Sequence, residues 1–404
     1  MLKRTSNLSE DAVLTFLGYL RRALPFLLLS AYGTFLCSYF IFDEYSEPYR
    51  FFARVVFVIG IFVFAQGISG IWRQPLFQAI AVYMTYLLLS GFWSDPLDWY
   101  RFGQMVTISI YLFCFLAITQ FLVNWNLGFF ERMLRLCILV AAVTALTSLV
   151  VFYQEHSFLG DRLTGIGSLT NTNEFSNIYG VFALLAMGFS LREPRLPHKI
   201  LYLLAVGIFV CFAWFGQSRT AFVSMLIALT ALTGLTTQDR KGVYVSVSIL
   251  ATLVGVLTLL FPEVVEQAFH RGQGLRPLIW AQAWQEAKSA PIFGLGLLSV
   301  ISVDSTQNVF ETAHNAYLQV FWQGGAIGLG LFLILLAIAF RNAWSWGAQQ
   351  RDYTVFCLLV FTACTMMTGV DTLIARPRDQ WMLFWLPLAL LLSYQSMAPR
   401  SRPS

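Results

Sequence analysis

The chemistry available in this sequence lies in a few arginines and one histidine. Arg162, Arg219, Arg271, Arg276, Arg376 and Arg378 stand in or beside short polar segments between apolar runs. A guanidinium stays charged at any accessible pH and its planar fork holds two phosphate oxygens at once, so arginines in such places point to anion binding. The ordinary alternative is snorkelling to lipid headgroups or pairing with a loop carboxylate. Arg219 is the sharpest case, because Gly216-Gln-Ser-Arg-Thr220 is a turn of few residues that holds its charge at the edge of the apolar layer. Arg378 is assigned to structure and is expected to tolerate alanine. Among four histidines, His314 stands apart, opening an apolar run in Thr312-Ala-His-Asn-Ala-Tyr317. Imidazole is the side chain that exchanges protons near neutral pH, so a general base is one reading and a helix-entry cap the other. His198 shares a turn with Arg195 and Lys199, while His156 and His270 are loop residues beside Glu155 and Arg271. Dispersed histidines, with no acidic triad and no HExxH, supply no metal-ligand set.

These residues must be positioned by helices in a membrane. The 404 residues are 57% hydrophobic and 12% charged, against roughly 45–50% apolar and about 25% charged in soluble chains. That balance excludes a cytosolic enzyme, a transcription factor and a disulfide scaffold. The six cysteines all lie in apolar runs with no CxxC spacing, and behave as small buried hydrophobes. Runs of about 20 apolar residues predict about twelve spans: 23–42, 51–72, 75–93, 102–123, 133–153, 175–191, 199–216, 220–236, 243–261, 315–340, 353–369 and 380–396. The expected fold is an all-α polytopic protein, a single transmembrane domain over 1–404, with a short disordered tail from Ala398.

Lysine and arginine set the orientation. With a cytoplasmic N-terminus, 16 of the 26 basic residues fall inside, and 15 of the 21 acidic residues fall outside. Both termini are then cytoplasmic. The longest outside segment is 262–314. Within it Pro277 and the spacing of Ile279, Trp280, Ala283, Trp284 and Ala287 predict an amphipathic helix on the outer membrane surface, between spans nine and ten. The segment breaks at Pro291 and Gly294-Leu-Gly296 before re-entering at His314.

The order of these features resembles the bacterial O-antigen ligase and polymerase superfamily. The resemblance is carried by a Ser-Arg pair in a short turn, Arg276-Pro-Leu-Ile-Trp280, Pro291-Ile-Phe-Gly294-Leu-Gly296, His314-Asn315, and Gly324-Gly325. Arg162-Leu-Thr-Gly165 with Asn171-Thr-Asn173 also resembles the family's earlier outer loop, although Thr172 replaces a frequent proline. The resemblance implies a fold like that of the GT-C membrane glycosyltransferases. It also implies a multi-pass enzyme of the bacterial inner membrane that moves O-antigen from undecaprenyl diphosphate to lipid A-core on the periplasmic side. His314 would then be the base. Arg219, Arg276 and Arg162 would hold the diphosphate, with Arg271, Asn315 and Arg376 as further candidates. No cofactor, metal or nucleic acid enters, and the partners are donor, acceptor and membrane lipids. Asp43-Glu44 imitates the acidic pair of other polyprenyl-dependent transferases, but its loop of about eight residues reads as an ordinary outside loop. A polymerase or a protein O-oligosaccharyltransferase of the same superfamily, or a lipid-linked glycan transporter, are the alternatives.

Overall fold

The computed structural model describes residues 2–64, 70–156, 161–169, 171–237, 240–270, 274–303, 308–310, 312–370 and 372–397. Apolar runs become helices because a backbone surrounded by hydrocarbon must satisfy its polar groups within its own segment. In chain order these are α1 (Leu2–Ile41), α2 (Glu47–Phe51), α3 (Phe57–Phe64), α4 (Pro75–Ser90), α5 (Trp99–Trp125), α6 (Leu127–Glu155), α7 (Thr172–Arg192), α8 (Leu196–Phe215), α9 (Arg219–Thr236) and α10 (Arg240–Leu260). There follow α11 (Pro262–His270), α12 (Arg276–Ala287), the strands β1 (Ile301–Val303) and β2 (Asn308–Phe310), α13 (Ala316–Gln350), α14 (Thr354–Thr365) and α15 (Leu386–Met397). Eight described helices are long and apolar enough to cross a membrane, and three apolar stretches, Val247–Leu260, Thr354–Thr365 and Trp381–Met397, are shorter. The chain is an all-α multi-pass membrane protein.

The core forms around α7, of which 94% of the most apolar window is buried, whereas the other seven long helices bury 33–61%. Helices α8, α9 and α14 pack on it. Tyr179 of α7 stacks between Phe40 of α1 and Phe209 of α8, with ring centroids 5.0 and 5.5 Å away.

Several expected spans take a different form. The run at 51–72 is not one helix: a π-helical turn, Phe52–Val56, joins α2 to α3, and a left-handed Gly70 precedes a 3₁₀ turn at Ile71–Arg73. The first span is the latter half of the 40-residue α1. Helix α14 stops at Thr365 instead of 369, and its 12 residues rise about 18 Å, short of a bilayer's roughly 30 Å. The stretch between Thr368 and Gln380, outside both neighbouring apolar helices, lines a polar cavity instead. The expected tail lies outside the described residues.

The long segment before α13 holds more structure than one amphipathic helix. Helix α12 forms, but Ile279, Ala283 and Ala287 bury themselves with Ile301, Ala313 and Trp322 in a second, smaller core. Its apolar face is therefore covered by protein as well as by whatever surrounds Trp284, which is half exposed. Strands β1 and β2 pair antiparallel, Ile301 opposite Phe310. Three-residue strands are too short to declare an alternating pattern.

The glycine motifs meet in space. Leu295 and Gly296 donate their N–H groups to Trp322 and Gln323 carbonyls (2.9 Å each), and Ala326 donates to Pro291 (2.8 Å). Gly325 breaks α13 at φ 61°, and a Cβ there would stand 2.3 Å from the Ile292 oxygen. Gly294 sits at φ 75° with Gln323 equally close. Two backbones approach here without room for side chains, which is why both partners are glycine.

Candidate functional site

A cavity of about 960 Å³ opens where α5, α7, α9, α12 and α13 begin. Six arginines line it among the described residues, Arg101, Arg162, Arg219, Arg276, Arg376 and Arg378, with two carboxylates, Glu174 and Asp379, and with His314.

The turn between α8 and α9 is tight. Gly216, Gln217 and Ser218 donate to the carbonyls of Phe212, Trp214 and Ala213 at 2.8, 2.9 and 3.3 Å, and Gln217 takes a left-handed φ of 51°. Arg219 is then the first residue of α9, exposed, with no acidic residue in the first turn and no side-chain cap on the helix. Arg276, partly exposed, opens α12 likewise with no acidic residue in the first turn and no side-chain cap. A helix start already carries about half a positive charge on unbonded N–H groups. An arginine there works against the helix dipole, and the combination favours an anion. Arg162 braces the turn: its Nε donates to the Gly216 carbonyl and its Nη2 to Asn173 Oδ1, both at 2.6 Å. The Thr220 hydroxyl pairs with that of Thr368 beyond α14.

His314 lies at φ 50°, a region that costs a residue bearing a Cβ roughly 1 kcal/mol or more. Its neighbours hold it there. Trp280 of α12 donates its indole N–H to the Ala313 carbonyl at 2.8 Å, the Ala313 N–H donates to Gln319 Oε1 at 2.7 Å, and the Ala316 N–H donates to Met366 at 2.9 Å. Glu286 adds a second tie between α12 and α13, accepting from Trp322 Nε1 at 3.0 Å. Arg276 and His314 are thus carried by elements that these hydrogen bonds tie together. Of the three described non-glycine residues with positive φ, Gln217 and His314 are in this wall, while Arg351 caps the far end of α13.

The remaining wall comes from Tyr45 ahead of α2, from α5 and from the segment before α15. Arg378 pairs with the buried Glu174 and lies over the Tyr45 ring at 4.7 Å, and Arg376 lies over Tyr49 at 5.3 Å. Asn177 donates to Asp379 at 2.6 Å. Burial draws the Arg378 guanidinium below its ordinary pKa, with Asp379 opposing.

Of the residues singled out by sequence, His314, Arg219, Arg276, Arg162 and Arg376 line this one cavity. Asn315 is absent from its lining and caps α13, accepting from Tyr317 and Leu318 N–H at 3.1 Å. Arg271 lies outside the described residues. Arg378, assigned to structure, pairs with the buried carboxylate of Glu174 and also lines the cavity. Glu44 pairs with Arg50 at the surface, and neither Asp43 nor Glu44 lines the cavity. Arg101, with Gln104, Met105 and Ile108, was missed. The signal that raised Arg219, a basic residue on the outside by the charge count, applied to Arg101 as well.

Fold and site define a multi-pass membrane protein whose apolar helical bundle ends in an arginine-rich chamber. Residues 204–333 match the family model described as O-antigen ligase. An O-antigen ligase of Pseudomonas aeruginosa is 30% identical over 327 residues, covering 79% of this chain and 77% of that protein. The chain belongs to the O-antigen ligase family, and is a membrane enzyme of the ligase type. The matched segment contains Arg219, Arg276 and His314.

Proposed function

We propose that the protein transfers an O-antigen glycan from undecaprenyl diphosphate to a sugar hydroxyl of lipid A-core, at the periplasmic face of the inner membrane, with inversion and without a metal. The observation that carries this reading is the convergence of His314 with two arginine-headed helix starts on one cavity. His314 accepts the acceptor hydroxyl's proton as its oxygen attacks the anomeric carbon. The bond from that carbon to the diphosphate breaks, and its electron pair leaves on the diphosphate. Arg219 and Arg276 stabilise the charge that develops there, while Arg162 holds the turn that carries Arg219 and adds its own charge to the cavity. Attack opposite the leaving group inverts the centre in one displacement, so no carboxylate nucleophile is needed. Among the described residues no three of His, Cys, Asp and Glu stand together to hold a metal ion. Fixed guanidinium charge takes the part a divalent cation plays in other transferases.

The test is transfer by the full chain in proteoliposomes, using lipid-linked O-antigen and purified lipid A-core. Product is expected to form in excess EDTA. Activity abolished by chelation and restored by magnesium would remove the arginine mechanism. The orientation is tested separately in cells: a cysteine at 275 should react with an impermeant reagent once the outer membrane alone is permeabilised.

A further inference from the structure

Two side chains from different helices hold the residue ahead of His314, and the transfer reaction as written above gives neither of them a part. Ala313 is fully buried in the smaller core. Its carbonyl, which belongs to the peptide bond with His314, accepts the indole N–H of Trp280 at 2.8 Å, and its own N–H donates to Gln319 Oε1 at 2.7 Å. Most backbone polar groups in a folded chain bond to other backbone groups. Here both groups of one residue are taken by side chains, one from α12 and one from α13. On the far side of His314, Asn315 caps α13 and the Ala316 N–H donates to the Met366 carbonyl. The left-handed φ of His314 is therefore bracketed from both sides, as a strained backbone must be to persist.

Gln319 makes this hold at a cost. Ala313 presents a donor, so the amide oxygen must face it, and the amide nitrogen is left buried with no hydrogen-bond partner among the described residues. A methionine in its place would exchange one buried unpaired donor for another, that of Ala313, so the amide adds little to stability. What it adds is control of the backbone before His314. Trp280 stands four residues after Arg276, so the two project from one face of α12 about 6 Å apart along its axis, and both line the cavity. The segment Arg276-Pro-Leu-Ile-Trp280 thus joins the arginine assigned to the diphosphate to the support of the base.

We propose that Trp280 and Gln319 are positioning residues: through Ala313 they hold the His314 imidazole at the offset from Arg276 at which it meets the acceptor hydroxyl as the diphosphate leaves. This rests on the glycan-transfer reading above. The proton still goes to His314 and the developing charge to the arginines. The two positioning residues supply geometry, and a displacement of about 1 Å is enough to slow a reaction about 10²-fold.

The experiment uses the full chain in proteoliposomes with lipid-linked O-antigen and purified lipid A-core. Trp280→Phe keeps an aromatic ring and removes the N–H, while Gln319→Met keeps the volume and removes the acceptor. Each is expected to lower kcat by about 10–10²-fold, with the KM of donor and acceptor unchanged and thermal unfolding in detergent little altered. In a His314→Ala background neither substitution should lower kcat further, because a misplaced base and a missing base are the same loss. An unchanged kcat in either folded variant, a loss carried by KM, or a further fall of the same size on top of His314→Ala overturns the positioning role. Should one variant not fold, the other decides, since the two act on opposite sides of one residue. Near-normal transfer by His314→Ala is a separate result, which removes the base itself and the positioning role with it.

Discussion

The two ends of α7 both gather charge, and they do so by opposite rules. At its last turn Arg192 meets Glu131 at 3.3 Å and Asp352 at 3.1 Å, Glu131 meets Arg135 at 3.5 Å, and both arginines lie over Phe189. Two arginines face two carboxylates, and Arg192 sits where the helix dipole favours a cation. At the first turn, about 30 Å away by helix rise, six arginines and two carboxylates line the cavity among the described residues, and two of the arginines head helices whose dipoles oppose them. Balanced charge with favourable dipoles stabilises the bundle. Arginines set against the helix dipoles, beside two residues held at positive φ, do not stabilise the bundle in that way and fit the anionic substrate proposed above.

That contrast can be broken most severely at His314. His314→Ala removes the proton acceptor and leaves the arginines, so turnover in the proteoliposome assay is expected to fall by about 10²–10⁴-fold while binding of lipid-linked donor survives. Near-normal transfer at equal protein level would show that the imidazole is not the base. Arg219→Ala and Arg276→Ala should cost roughly 10²–10³-fold and weaken donor binding as well, with lysine restoring only part because it lacks the bidentate fork. Rescue to wild-type rates by lysine would reduce the clamp to a point charge.

Arg378→Ala tests the seam between the two kinds of charge. It leaves Glu174 buried without its partner, and the residual exposure of the arginine keeps the cost near the low end for buried pairs, about 2 kcal/mol. Thermal unfolding in detergent would register this, and Glu174→Gln in the same background should recover most of it. The smallest effect belongs to the far end. Arg192→Ala is expected to lower stability by under about 1 kcal/mol, since its pairs are partly solvent-exposed, and to leave transfer unchanged. Loss of transfer in a folded Arg192→Ala protein would erase the distinction between the two ends.

Composition alone determined that this is a bundle of apolar helices, because a backbone in hydrocarbon has few other ways to satisfy its hydrogen bonds. The Ser218-Arg219 turn was legible for the same reason: a polar stretch of few residues between two spans must lie at an interface. Residue type made Arg219, Arg276 and His314 candidates, since guanidinium and imidazole chemistry do not depend on context. What the linear order left open was which of them meet. Asn177 and Asp379 are 202 positions apart in the numbering, and Gly294 and Gly325 belong to separate motifs, until packing places each pair together. The early end of α14, the burial of Ile279 and Ala283 against α13, and the engagement of Arg378 by Glu174 are likewise settled by neighbours distant in sequence. Helix periodicity reports which face of a segment is apolar and is silent on what covers it. Only the tertiary structure brings the covering partner, and with it the pairing of Arg378 with the buried Glu174.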